Sequence, residues 1–113
     1  MLGYKEIEAK LKRSLTAHRY QHSLAVAAVA VELARRYGGN EHKAYRAGLL
    51  HDCAKGLGNE ELLQTALAFG IVRDDIEITC PNLLHGPVGA MLAWREYSED
   101  DAEILTAIAL HTL

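Results

Sequence analysis

Eight consecutive residues from Leu24 to Val31 are Leu, Ala or Val, and they lie inside a stretch, about Arg19 to Tyr37, that has no helix breaker until Gly38-Gly39. A helix that is apolar on every side must be enclosed by other helices, so this segment predicts a bundle with the Arg19–Tyr37 helix in its interior. The rest of the core has to be built from similar residues. Half of the 113 residues are hydrophobic, yet the aromatics are only five Tyr, one Phe and one Trp. Ala, Leu, Ile and Val suit closely packed helices, and the expected class is all-α. The length fits one domain, residues 1–113, large enough to bury a core.

About six helices are expected. Ile7, Leu11 and Leu15 stand four apart on one stripe of a segment from about Tyr4 to Leu15. Asn40 is positioned to cap a third helix that carries Ala44, Ala47, Leu50, His51 and Ala54 and closes at Gly56. Asn59 caps a fourth, running through Phe69 to Gly70. Residues 71–81 mix patterns, with Asp75-Ile76-Glu77-Ile78 alternating as a short strand would, and read best as loop. A fifth helix starts near His85, with Pro87 tolerated in its first turn, and extends to Trp94. Ser98 followed by Asp101 resembles a capping box for a sixth, with Ile104, Leu105, Ile108 and Ala109 as its apolar positions and His111 in its last turn.

Several function classes are excluded. Twelve basic against fifteen acidic residues, without a basic cluster, lack the footprint of a generic nucleic-acid binder. The apolar run of eight is far shorter than the roughly 20 residues of a membrane span. The N-terminus carries Lys5, Glu6, Glu8 and Lys10 rather than a secretion signal, so the cytoplasm is the expected location. Cys53 and Cys80 form no Cys-x-x-Cys pair and are expected to be reduced, Cys53 within the core. An Ala-rich helical domain with few aromatics could also pair as a homodimer.

The chemistry is carried by Leu50-His51-Asp52-Cys53-Ala54-Lys55, where an imidazole and a carboxylate follow an apolar run. A core that takes in two adjacent metal-binding groups must offset their desolvation, and a bound cation does so more completely than a single hydrogen bond. His22, His85 and His111 lie on or at the ends of three other helices and could converge on this doublet. A lone histidine on an apolar face is more often a hydrogen-bonded core residue; the combination is what points to a metal. His18 and His22 could form a two-histidine clip, but no glutamate partner of the metalloprotease kind accompanies them. His42, between Glu41 and Lys43, reads as a surface residue, and Asp74-Asp75 and Glu99-Asp100-Asp101 as loop or helix-start acids.

The ensemble resembles the HD superfamily of metal-dependent phosphohydrolases. His51-Asp52 stands for the doublet that gives the superfamily its name, and His22 for the preceding ligand. Arg19-x-x-His22, Ala47-Gly48-Leu49-Leu50-His51-Asp52-x-x-Lys55, Leu84-His85-Gly86-x-x-Gly89-Ala90 and Ala107-Ile108-x-x-His111-Thr112 together are similar to a narrower branch, the symmetrical bis(5′-nucleosyl)-tetraphosphatases of the YqeK type. The resemblance spans nearly the whole chain. It implies an HD-domain helical bundle that hydrolyses diadenosine tetraphosphate and related dinucleoside polyphosphates to two nucleoside diphosphates at a two-iron centre. It further implies that His22, His51 and Asp52 serve one metal and His85 and His111 the second, with Asp52 bridging. Nitrogen and oxygen ligands suit iron, manganese or zinc alike.

Superfamily members carry a further Asp ligand after the position of His111, which this sequence does not contain; the expectation is a chain truncated at its C-terminus. Two cations would lower the pKa of a water and neutralise charge on the phosphoryl oxygens. Asp52 and Lys55 are the candidate catalytic residues, and Lys55 and Arg19 the candidate phosphate contacts. Lys55 could instead be a solvated helix-end residue, and Arg19 could pair with an acidic neighbour. Another HD phosphohydrolase, a nucleotidase or cyclic-nucleotide phosphodiesterase, or a noncatalytic nucleotide-binding module are the competing readings.

Overall fold

Ile7 and Leu11, one helical turn apart, are both fully buried, and that stripe holds α1 (Tyr4–Ser14) against the rest of the molecule. The structure is a computed structural model that describes residues 3–68, 70 and 84–110. Thr16 then caps α2 (Ala17–Tyr37), its hydroxyl accepting the Arg19 N–H at 3.2 Å. Gly38, at φ 78°, ends α2 in the left-handed conformation that a side chain would resist. Asn40 caps α3 (Glu41–Leu50), its side-chain oxygen accepting the Lys43 N–H at 2.9 Å. A short 3-10 turn (Cys53–Gly56) leads to α4 (Asn59–Ala68). Two further helices, α5 (His85–Glu96) and α6 (Ala102–Leu110), complete the described elements, all of them helical.

Helices α2 and α3 fold back on each other as a hairpin, α5 and α6 as a second, and α3 packs against α6 between them. The main core gathers Ile7 and Leu11 of α1, Leu49 and Leu50 of α3, and Ile104 and Ile108 of α6. A smaller core, with Leu62 and Ala66 of α4 against Leu84 and Val88, lies behind the 3-10 turn. Among the described residues no helix is long and apolar enough to cross a membrane. The expectations for residues 71–81, for Cys80 and for His111 fall outside the described residues.

Four expectations need correction. The α2 helix is not enclosed: only Ser23 and Ala27 are buried, while Val29 and Leu33 are 59% and 50% exposed. Its contact with α3 runs through small residues, so a narrow stripe suffices and the opposite apolar face meets no described element. The third helix does not continue to Gly56; it stops at Leu50, and His51 and Asp52 occupy the break before the 3-10 turn. Asn59 is the first residue of α4 rather than its cap, since the Leu62 N–H already bonds the Gly58 carbonyl at 2.8 Å. Asp101, not Ser98, caps α6, accepting the N–H groups of Glu103 and Ile104 at 2.9 and 3.3 Å. Ser98 sits in the preceding turn at φ 56°.

Candidate metal centre

The α2/α3 hairpin is held together by a missing side chain. A Cβ on Gly48 would come within 2.6 Å of the Ala27 Cα and 2.9 Å of its nitrogen, so the two helices meet backbone to backbone there. His22 lies little more than a turn before Ala27, and His51 just beyond Gly48. The close crossing therefore brings the two imidazoles together, their ring centroids 5.4 Å apart. A glycine inside a helix costs about 1 kcal/mol relative to alanine, which is the sequence signal that this position serves packing.

His51 closes α3, and its Nδ1 lies 2.6 Å from the Gly48 carbonyl oxygen. A carbonyl can only accept, so Nδ1 carries the hydrogen and Nε2 is left to face outward. It faces Asp52, whose Oδ2 is 3.3 Å away. The His22 Nε2 is 3.8 Å from the same oxygen, and one ligand atom from each of the three residues lies within 4.8 Å of the others. An imidazole lone pair and a carboxylate oxygen at such a distance repel unless a proton or a cation stands between them. Asp52 is only 4% exposed, so water can do little to relieve that repulsion.

This donor set fits a divalent transition metal. Two imidazole nitrogens and a carboxylate oxygen are suited to iron, manganese or zinc, and a backbone acceptor on Nδ1 is the usual way a ligating histidine is oriented. Arg19, one turn before His22 and 44% exposed, brings its Nη1 to 3.5 Å from Asp52 Oδ2. Cys53, next in sequence, points away into the core: its Sγ donates to the Gly89 carbonyl at 3.1 Å. Burial pushes its thiol up to about 12, with the Asp52 charge adding to the effect, so it stays a neutral packing group.

The remaining candidates are placed differently. Lys55 is half-buried on the 3-10 turn, its backbone N–H bonded to the Asp52 carbonyl at 2.9 Å, rather than on a continuous helix with His51. His85 opens α5 and is buried, but stands outside the three-residue cluster. Its helix reaches the site one turn later, where a Cβ on Gly89 would lie 3.8 Å from the His51 carbonyl oxygen. His111 follows the end of α6 and lies outside the described residues. His18 and His42 are both exposed, and the Tyr4 hydroxyl lies 2.6 Å from His42 Nδ1, on the α1 side of α3.

Gly48→Ala is expected to force α2 and α3 apart, costing about 1–3 kcal/mol as overpacking does. It should also weaken cation binding, since His22 and His51 sit on opposite sides of the opened crossing. Thermal unfolding with and without manganous ion checks both effects; an unchanged melting temperature would contradict the close approach.

Comparison with known proteins places the chain. Residues 19–113 match the HD domain family. The symmetrical bis(5′-nucleosyl)-tetraphosphatase of Bacillus subtilis (strain 168) is 40% identical over 115 residues, covering 98% of this chain and 59% of that protein. The protein of the same name from Halalkalibacterium halodurans is 37% identical, covering 90% of this chain and 54% of its own length. A crystal structure from Clostridium acetobutylicum, described as a predicted HD superfamily hydrolase involved in NAD metabolism, superposes with a TM-score of 0.93 at 40% identity. It covers 98% of this chain and 59% of that one. The chain thus spans between half and two thirds of the length of these relatives. With the His51-Asp52 pair and His22 gathered as described, and with matches along nearly its full length, the chain belongs to the HD domain family.

Proposed function

We propose that the protein to which this chain belongs is a metal-dependent phosphohydrolase that cleaves diadenosine tetraphosphate and related dinucleoside polyphosphates symmetrically, releasing two nucleoside diphosphates. The observation that carries the reading is the convergence of His22, His51 and Asp52 with the His51 ring oriented by the Gly48 carbonyl. The tetraphosphatase names of relatives at 37–40% identity supply the substrate class.

In this reading His22, His51 and Asp52 would hold one divalent cation, His85 and His111 together with Asp52 would hold a second, and the metal would be iron. The whole is read as a single HD domain acting in the cytoplasm, where nucleotides are found. Bound there, divalent cations supply Lewis-acid activation of water and neutralise charge on the phosphoryl oxygens. The protein's own part is positional. Asp52 would supply the buried negative charge and His22 and His51 the two nitrogens that hold a cation, Arg19 flanks the carboxylate with positive charge, and Lys55 is assigned with it to the phosphate chain. Holding the bridge at its middle makes each half a diphosphate.

The products provide the test. Full-length protein supplied with ferrous or manganous ion should convert diadenosine tetraphosphate to adenosine diphosphate alone, resolved by ion-exchange chromatography. Adenosine monophosphate with adenosine triphosphate would mean asymmetric cleavage and would exclude the reading. Turnover of monophosphates or cyclic dinucleotides in place of the tetraphosphate would shift it to another HD phosphohydrolase.

A further inference from the structure

Three side chains address one oxygen atom. Asp52 Oδ2 lies 3.3 Å from His51 Nε2, 3.5 Å from Arg19 Nη1 and 3.8 Å from His22 Nε2. The imidazoles belong to the metal-binding set; the guanidinium does not, because it has donors and no lone pair to offer. Arg19 therefore approaches the same oxygen that a cation held by His22 and His51 would use. The backbone fixes where it starts from: its N–H is bonded to Thr16 Oγ1 at 3.2 Å, in the first turn of α2, one turn before His22 and on the same face.

A guanidinium in a protein cannot relieve repulsion by losing its proton, so a dication on Asp52 Oδ2 would be repelled by Arg19 at its present distance of 3.5 Å and held more strongly once Arg19 had moved away. It has room to do so. The side chain is 44% exposed against 4% for Asp52, so its outward path leads to solvent at the mouth of the site. We propose that Arg19 is an exchangeable counter-ion: it neutralises Asp52 when no cation is bound and is displaced towards the substrate's phosphates when one is. This rests on the reading of the site as a metal centre. Cation and phosphate binding are then coupled, and the coupling is reciprocal: a phosphate that captures Arg19 raises cation affinity by the factor by which the cation raises phosphate affinity.

The test uses the full-length protein, isotopically labelled, with zinc as a diamagnetic probe. Zinc should shift the ring resonances of His22 and His51 and, in step with them, the Nε–H resonance of Arg19, identified by its loss in Arg19→Lys. Inorganic phosphate should then move the Arg19 resonance at about tenfold lower concentration in the zinc-loaded protein than in the metal-free one. By calorimetry, Arg19→Gln should bind zinc about tenfold more tightly than the wild type, because the competitor is gone. Histidine shifts without an Arg19 shift, or unchanged zinc affinity in Arg19→Gln, would overturn the counter-ion role while leaving the metal centre standing. Absence of any histidine shift would overturn both.

Discussion

Asp52→Ala is expected to abolish cation binding at the His22/His51 pair and to lower hydrolysis by the full-length protein by about 10³-fold or more. Metal-supplied stabilisation is worth several kcal/mol, and about 4 kcal/mol corresponds to about 10³ in rate. Asp52 is the residue that both imidazoles address, at 3.3 and 3.8 Å, so without its carboxylate no negative charge remains among the three atoms to balance a dication. The fold should survive, because the Asp52 backbone carbonyl still receives the Lys55 N–H that starts the 3-10 turn. Asp52→Asn keeps the shape and removes the charge, and should behave the same way. Steady-state kinetics beside far-ultraviolet circular dichroism check the pair. Activity within tenfold of the wild type in either variant would remove Asp52 from the chemistry.

Glu99→Ala is expected to be the most destabilising single change away from the metal centre. Glu99 is fully buried, and its Oε1 accepts the Arg46 Nε–H at 2.6 Å, with Arg46 itself nearly buried. The second carboxylate oxygen accepts the Asp101 N–H at 3.2 Å, and the Glu99 N–H bonds the Ala93 carbonyl at 2.9 Å. One side chain thus ties α3 to the corner between α5 and α6. Removing it takes the Glu99 carboxylate from a nearly buried guanidinium, a loss of about 3–5 kcal/mol. That is a large share of the roughly 5–15 kcal/mol that stabilises a typical domain. The melting temperature should fall by about 15–30 °C. Replacing both partners, Arg46→Met with Glu99→Leu, should cost far less than Glu99→Ala, since an apolar pair leaves no stranded charge. Denaturant titrations of the two variants make the comparison; a loss below about 1 kcal/mol in Glu99→Ala would show that the pair is not buried as described.

Glu99 also marks what a one-dimensional reading could not reach. In Glu99-Asp100-Asp101 three acids stand together, and by composition all of them belong to a solvated helix start. Asp101 does cap α6, but Glu99 is turned inward by a partner 53 residues away, a pairing without any local signal. The helices themselves were legible because their causes are local: the four-residue stripe of Ile7 and Leu11, the Asn40 cap and the Gly38 stop all act within a turn or two. The exposure of α2 was not, because an all-round apolar pattern shows that a face can be buried without showing which element covers it.

For the candidate site, the doublet and His22 could be chosen from residue type and helix position, and the structure gathers them. The break in the backbone after Leu50 could not. Ala54 and Lys55 continue the helical spacing of α3, yet the chain leaves the helix at His51, and this break sets Asp52 against both rings. The role of Gly48 as the contact point of two helices was not legible either, because a glycine within a helix does not say which element it meets.

The central claim is that His22, His51 and Asp52 together hold a catalytic cation. Crystals of the full-length protein grown with manganous ion, with diffraction recorded above and below the manganese absorption edge, test it most directly. The account predicts an anomalous peak about 2.0–2.3 Å from His22 Nε2, His51 Nε2 and a carboxylate oxygen of Asp52. Manganese found elsewhere in the molecule, with these three side chains still in contact and no peak among them, would contradict it.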